Sequence, residues 1–158
     1  MHKVDVWVWT DNRTPQESLK GYAYSIEMER AGKFIRKGGE GEICATWNRA
    51  TLLAIAEALE RFSGKAEVII HSENFFVMNM FEHHLPTWEH EGFLRRDGKD
   101  VANRTEWERI AKKKQLLQIE TDTVGFDRSK ELMEHALADE IPPAASCEHA
   151  KGKEKYHV

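Results

Sequence analysis

The sequence predicts an α/β domain with a mixed five-stranded sheet, in which three antiparallel strands precede two further strands and helices cover both faces. Three observations predict this fold class. Three strand-like segments precede the first helical one, a run rich in β-branched residues spans 66–72, and helical patterns separate that run from a last strand. With 158 residues and 41% hydrophobic content, the chain is large enough to bury the core of one domain.

The first three predicted strands form a meander. Residues 4–10 alternate valine with larger side chains and end at Asp11, and residues 21–29 alternate again. A turn at 31–33 predicts a hairpin that leads into a third strand between 33 and 46. The glycines at the centre of that third segment are expected to weaken or bulge it.

The remainder of the domain alternates helices with two further strands. Asn48 is predicted to cap the first helix, Pro86 to stop the second and Gly92 to end the third. In chain order the predicted elements are helix 48–62, strand 66–72, a helix through 75–80, a short helix from 88, helix 103–112, strand 116–123 and helix 127–138.

Composition divides the chain into an α/β domain over residues 1–138 and a flexible C-terminal tail over residues 139–158. The tail contains Pro142 and Pro143, small residues and charges without periodicity, which is typical of a solvated appendage. Its lysines could contact nucleic acid, but the composition favours a tail that simply remains in solvent.

Bulk charge and cysteine content limit the function classes. The net charge of −4 gives no global attraction to nucleic acid, so any such binding requires a local basic patch. Cys44 and Cys147 lie far apart and match no metal-ligand spacing, which favours a reducing cytoplasmic setting. No apolar run approaches the roughly 20 residues that span a membrane. We therefore expect a soluble, cytoplasmic protein without membrane contact.

Two carboxylates stand where open α/β sheets place their chemistry. Asp11 follows the first predicted strand, and Glu73 follows the fourth, at the start of a helix. Ligands of such sheets bind at the carboxyl ends of the strands. The sequence therefore predicts that Asp11 and Glu73 converge on a single pocket.

The segment from Trp88 to Trp107 interleaves basic and aromatic residues. Its cations could hold nucleic-acid phosphates, with an affinity that falls steeply as salt rises. The alternative is that the tryptophans anchor the core and the charges form a solvated surface, diluted by acids such as Asp97 and Asp100. We expect the aromatic residues to be structural and the arginines to form a weak nucleic-acid-binding surface.

Several other residues are assigned structural roles. His71 is predicted to be a satisfied core residue, and the neighbouring histidines His83, His84 and His90 are predicted to lie on the surface, because no Cys or carboxylate partners complete a zinc site. A further group is predicted to pack in the core: Phe75, Phe76, Met78 and Met80. No Gly-rich phosphate-binding motif is present, so the sequence gives no indication of a nucleotide cofactor.

Four segments resemble type 1 ribonuclease H, a member of the RNase H-like superfamily. Residues 6–11, 48–59 and 68–77 resemble its first strand, first helix and fourth strand, and Trp88 to Trp107 is similar to its substrate-binding helix and loop. The resemblance implies an endonuclease, a phosphodiester hydrolase that cuts the RNA strand of an RNA/DNA hybrid. The nucleic-acid-binding residues implied by it are Asn48, Trp88, Arg95, Arg96, Lys99 and Arg104.

The resemblance also implies a cofactor, two Mg²⁺ or Mn²⁺ ions held by four carboxylates. Asp11 matches the first carboxylate, and Glu73 replaces an aspartate at the third, so these two are the expected metal ligands and catalytic residues. The second position holds Thr51 and the fourth Lys130, neither of which is a suitable Mg²⁺ ligand. The family's mobile histidine is also missing from residues 124–129. The expected metal site is therefore degenerate.

Three functions remain open at this point. The first is an RNase H-like protein that binds RNA/DNA hybrid or other nucleic acid and is catalytically impaired or inactive. The second is an active metal-dependent ribonuclease H in which Asp127 or Glu131 joins a rearranged site, although Asp127 is better placed to cap the last helix. The third is a protein-interaction module on an RNase H scaffold, with a partner that the sequence does not identify.

Overall fold

A computed structural model describes residues 2–124 and confirms the predicted fold class. The order of elements is the predicted one as far as the last strand. The strands are β1 (His2–Thr10), β2 (Ser18–Arg30), β3 (Lys33–Ala45), β4 (Ala66–Ser72) and β5 (Leu117–Thr123). The helices are α1 (Trp47–Leu59), α2 (Phe75–His83), α3 (Leu85–Glu91) and α4 (Arg104–Lys114). The predicted helix 127–138 and the tail 139–158 lie outside the described residues.

One sheet in the order β3-β2-β1-β4-β5 organises the domain. The first three strands are antiparallel, whereas β4 runs parallel to both β1 and β5. Trp7 of β1 lies beside His71 of β4 in the register of this parallel pair. The carboxyl ends of β1 and β4 therefore reach the same edge of the sheet, and Asp11 and Glu73 follow them there.

The main core lies between the sheet and helices α1 and α4. It is formed by inward-facing valines of β1, by apolar residues of α1 that recur at helical spacing, and by a fully buried Trp107. The largest buried contributors from α1 are Leu52, Ile55 and Leu59. Each such side chain contributes about 1.5–3 kcal/mol of transfer free energy.

The other face of the sheet carries a smaller cluster of Trp7, Trp9 and Ala23. His71 stacks on Trp7 with ring centroids 3.9 Å apart, and its two ring nitrogens lie 2.7 Å from carboxylate oxygens of Asp5 and Asp122. His71 thus links β1, β4 and β5 and is the buried, hydrogen-bonded residue that the sequence predicts.

Three local predictions are wrong. The N-cap of α1 is Thr46, whose hydroxyl accepts a hydrogen bond from the Arg49 amide, and not Asn48. The short helix predicted to begin at Trp88 is α3, which begins at Leu85 and has Pro86 in its first turn, where a missing N–H costs nothing. Phe75 and Phe76 are 54% and 50% exposed instead of packing in the core.

The glycines of β3 do not interrupt the strand, contrary to the sequence prediction. β3 pairs with β2 without a break over 13 residues. A Cβ atom added at Gly39 would overlap the ring of Tyr24, and one added at Gly41 would overlap that of Tyr22. These glycines are therefore needed to accommodate two tyrosine rings across the strand.

None of the helices among residues 2–124 is long and apolar enough to cross a membrane.

We expect Gly39→Ala to lower the free energy of unfolding by about 1–3 kcal/mol, because the added methyl group displaces the Tyr24 ring. The matched control is Gly64→Ala, where nothing lies within 4 Å of the added Cβ. Urea denaturation of both variants provides the measurement. Equal stabilities would show that the tyrosine does not need the space at residue 39.

Candidate active site

Asp11 lies at the edge of the sheet immediately after β1 and is tied to the start of β2. Its Oδ1 accepts a hydrogen bond of 2.8 Å from the Gly21 amide, and its own amide donates to the Gly21 carbonyl at 3.0 Å. Although the residue is exposed overall, partial burial of its carboxyl group raises its pKa above the ordinary value. The Gly21 hydrogen bond and the charge of Lys20 oppose that rise.

Lys20 is a buried lysine close to Asp11. Its side chain is fully buried, and its Nζ donates to the carbonyls of Ala45 and Gln16 at 2.7 and 2.8 Å and to the Ser18 hydroxyl at 2.7 Å. Burial lowers the pKa of this ammonium group, and the charge of Asp11 opposes that change. Lys20 thereby fastens the loop after Asp11 to the end of β3. The sequence did not indicate this role, since Lys20 precedes the predicted strand 21–29 and lysines are ordinarily exposed.

Glu73 is the first residue after β4 and forms an ion pair. The Nε of Arg13, from the loop after β1, donates to its Oε1 at 2.6 Å. The Glu73 side chain is only 7% exposed, compared with 36% for Arg13. The predicted metal ligand is thus a nearly buried carboxylate paired with a guanidinium, and Arg13 is a site residue that the sequence analysis missed.

Thr51 occupies the position that the resemblance assigns to the second carboxylate. It is buried, its hydroxyl donates to the Trp47 carbonyl at 2.9 Å, and it accepts from the Asn74 amide at 3.0 Å. The same Asn74 Nδ2 donates to Asn48 Oδ1 at 3.1 Å, while Asn74 Oδ1 caps α2 by accepting from Val77. These side chains form a neutral network that joins α1 to the end of β4.

The described residues alone do not form a metal cage. Within residues 2–124, no three His, Cys, Asp or Glu side chains lie close enough together to hold a metal ion. One oxygen of Asp11 accepts from a backbone amide, and one oxygen of Glu73 is paired with Arg13. Near-octahedral Mg²⁺ requires a fuller set of oxygen ligands. The candidates Asp127, Lys130 and Glu131 lie outside the described residues.

The aromatic residues of the predicted nucleic-acid-binding segment pack against the core, Trp107 fully buried and Trp88 and Phe93 partly buried. Trp88 and Trp107 pack edge to face with centroids 5.3 Å apart. Gly92 ends α3 in the left-handed conformation, and Asn103 adopts the same conformation before α4. An isolated bridge between Leu94 and Asp100 closes the intervening loop.

The basic residues of that segment fall into two groups. Arg95 is paired with Asp97 at 2.7 Å, and Arg104 with Asp100 at 2.7 Å and Glu108 at 2.5 Å. Arg96 and Lys99 are exposed and form no ion pair among the described residues. Two of the four cations of this segment are therefore already paired with neighbouring acids.

Comparison with known proteins identifies the family. A family model for RNase H matches residues 3–124. The chain is 34% identical to the ribonuclease H of Bordetella avium over 103 residues, which cover 65% of this chain and 66% of that protein. It is 31% identical to the ribonuclease H of Xanthomonas oryzae over 70 residues, 44% of this chain and 47% of that protein. The matches thus span less than two thirds of the first relative and about half of the second.

Solved structures share the fold. LC9-RNase H1, a type 1 RNase H with the type 2 active-site motif, superposes with a TM-score of 0.70 at 17% identity, covering 96% of this chain and 74% of that one. The foamy viral protease-reverse transcriptase in complex with RNA/DNA hybrid superposes with a TM-score of 0.57 at 16% identity, covering 84% of this chain and 18% of that one. Since the family model covers most of the chain, this protein belongs to the ribonuclease H family.

Proposed function

We propose that this chain binds RNA/DNA hybrid or a related nucleic acid and cleaves it weakly or not at all. The observation that carries the proposal concerns the second and third carboxylate positions of the family. Thr51 at the second belongs to a neutral hydrogen-bond network, and Glu73 at the third is paired with Arg13. The family is generally dependent on divalent metal. A loss of metal ligands is therefore expected to reduce catalysis more than it reduces nucleic-acid binding.

Asp11 and Glu73 are the residues that would hold Mg²⁺ or Mn²⁺. Bound divalent ions would supply an activated water and charge stabilisation for the leaving oxygen. One oxygen of Asp11 accepts from the Gly21 amide, and one oxygen of Glu73 is paired with the Arg13 guanidinium at 2.6 Å, whose positive charge opposes the approach of a metal ion. A neutral Thr51 adds no negative charge with which to attract a divalent cation.

Binding requires less of the site than catalysis does. Within the segment from Trp88 to Trp107, Arg96 and Lys99 need not break an ion pair with another described residue before they bind a phosphate. The foamy viral relative was solved in complex with RNA/DNA hybrid, which supports this class of ligand for the shared fold. Phosphate binding of this kind proceeds through counterion release and is independent of base sequence.

A second candidate function is an active ribonuclease H with a rearranged carboxylate site. It is favoured by LC9-RNase H1, which combines the type 1 fold with a different active-site motif. In this chain Asp127 or Glu131 would complete the set with Asp11 and Glu73. The protein-interaction module has no comparable structural support.

The proposal is tested with a fluorescently labelled RNA/DNA hybrid, assayed for binding and for cleavage in Mg²⁺ and in Mn²⁺. We expect binding that weakens as salt rises, with cleavage no faster than in Asp11→Asn. Cleavage that Asp11→Asn abolishes would establish the active alternative. Failure to bind hybrid, duplex or single strand at any salt would leave only the interaction module.

We expect Arg96→Ala with Lys99→Ala to weaken hybrid binding and to reduce the slope of log affinity against log salt by about 1 for each cation that no longer binds a phosphate. The matched control is Lys3→Ala with Lys33→Ala, which removes two exposed lysines located away from α3 and α4. Fluorescence anisotropy at several salt concentrations gives both quantities. Equal losses in the two double variants would indicate a nonspecific charge effect.

We expect Arg13→Ala to increase the affinity for Mn²⁺, because the Glu73 carboxylate is released from its guanidinium partner. The variant should also lose about 1–3 kcal/mol of unfolding free energy, since a nearly buried carboxylate is left unpaired. Calorimetric titration with Mn²⁺ and urea denaturation measure the two effects.

The matched control for Arg13→Ala is Arg49→Ala. Arg49 pairs with Glu106 at 2.9 Å, and that carboxylate is 6% exposed, so the pair has a similar geometry and burial away from Glu73. This control should lose stability without a change in Mn²⁺ affinity. A gain in Mn²⁺ affinity for both variants, or for neither, would contradict the proposed role of Arg13.

We expect Asp11→Asn to be more stable than the parent protein at pH 7 and to lose that advantage as the pH falls below the ordinary carboxyl range. The folded pKa of Asp11 is raised, so its ionisation weakens the fold as the pH rises, and an amide oxygen can still accept from Gly21. Asp97→Asn should show the opposite sign, because hydrogen bonds from Lys99 and Arg95 lower the pKa of Asp97. Urea denaturation across pH tests both.

A further inference from the structure

A cavity opens at the end of the sheet opposite to Asp11 and Glu73. It has a volume of about 490 Å³ and is formed by the start of β1, the hairpin end of β2 and β3, and the segment between α1 and β4. Val4, which lines the cavity, lies seven residues before Asp11, roughly 23 Å away along the strand at about 3.3 Å per residue. A ligand in this cavity is therefore independent of the candidate active site.

The floor of the cavity is apolar. Side chains from three elements meet there, including Ile26 and Met28 of β2, Ile35 of β3 and Phe62 after α1. Ile26 is buried, and the other three are partly buried. The volume lies within the range of about 300–1,000 Å³ that small-molecule sites occupy. The floor can accept the apolar or aromatic body of such a ligand.

The rim of the cavity is cationic. It carries Arg30 and Lys37 from the β2–β3 hairpin and Arg61 and Lys65 from the loop after α1, and no Asp or Glu among the described residues lines it. None of these four cations forms an ion pair with another described residue. Arg61 is also positioned by a hydrogen bond of 3.0 Å from its Nη1 to the Tyr24 hydroxyl. The charged groups that line the cavity are thus two guanidinium and two ammonium groups.

We propose that this cavity binds a small organic anion with an aromatic body and a phosphate group, of the size of a nucleoside monophosphate. Guanidinium and ammonium groups at the rim are the side chains that recognise phosphate, and an apolar floor discriminates against inorganic phosphate alone. The cationic rim disfavours a neutral ligand of the same shape. A long nucleic-acid strand is a different ligand and is an outcome of the test.

The test is a titration of the ¹⁵N-labelled full chain with adenosine monophosphate, in buffer containing a chelator. We expect saturable amide shifts confined to the residues that form the cavity, in 2–4, 26–37 and 61–66. Shifts that cluster instead after β1 and β4 would assign the nucleotide to the candidate active site and overturn the proposal. Equal shifts with inorganic phosphate would overturn the role of the apolar floor, and the absence of shifts would overturn the site.

Variants separate the cavity from general charge effects. Lys65→Glu and Arg61→Gln should each weaken binding of adenosine monophosphate by about tenfold or more. The matched control for the first is Lys112→Glu, an exposed lysine on α4 with the same change of charge, which should bind as the parent does. Equal losses in Lys65→Glu and Lys112→Glu would contradict the proposal.

An oligothymidylate titration under the same conditions addresses the macromolecular alternative. We expect it to bind these residues no more tightly than adenosine monophosphate does. Tighter binding that Lys65→Glu abolishes would assign the rim to a nucleic-acid strand in place of a mononucleotide.

Thermal unfolding provides the control for folding. Unchanged unfolding midpoints in Lys65→Glu, Arg61→Gln and Lys112→Glu establish that their folds are intact.

Discussion

The parallel pairing of β1 with β4 is the constraint on which the candidate active site depends. Because β1 and β4 run in the same direction, their carboxyl ends lie at one edge of the sheet, and here those ends continue into Asp11 and Glu73. Helix α1 begins at the same edge, where Thr46 caps it, and so delivers Thr51 to the site from a third element. Buried contacts of the sheet with α1 hold the three elements in this arrangement.

The charge at that edge is compensated from within the chain. Arg13 pairs with Glu73, and the buried Lys20 lies close enough to Asp11 to influence its pKa. A two-metal site requires the reverse arrangement, an excess of carboxylates that bound cations neutralise. The threonine at 51 and the arginine at 13 both make the site less negative. Both residues therefore lower the attraction of the site for divalent metal. Catalysis depends on that metal, whereas phosphate binding by the basic residues does not, so we expect weak cleavage together with retained binding.

The sequence predicted the features of the fold that depend on local pattern. The bounds of β4 and the glycine end of α3 were correct, because periodicity and a left-handed cap are encoded by neighbouring residues. Asn48 was assigned as a cap because polar residues of its type usually serve there. In the folded chain its amide oxygen instead accepts from Asn74, a residue far away in sequence.

Features that depend on distant contacts were not predictable in the same way. Arg13 and Glu73 are 60 residues apart, and no spacing in the sequence indicates that they pair. Phe75 and Phe76 were assigned to the core because they are aromatic, but α2 has nine residues and buries only one side of its surface. Asp127, Lys130 and Glu131 lie outside the described residues, so their part in the site remains a prediction from sequence alone.

The distribution of cations gives the strongest contrast between the two ends of the domain. Arg95 and Arg104 pair with acids two to four residues away, and such pairs order a loop and the start of a helix without any ligand. Two cations of the β2–β3 hairpin and two of the loop after α1 instead line one apolar cavity that has no lining carboxylate among the described residues: Arg30, Lys37, Arg61 and Lys65. Bringing like charges together costs electrostatic free energy, and no ion pair among the described residues offsets it at these four cations. An anion at that cavity would offset this cost, whereas the charges of Arg95 and Arg104 are already balanced by neighbouring acids.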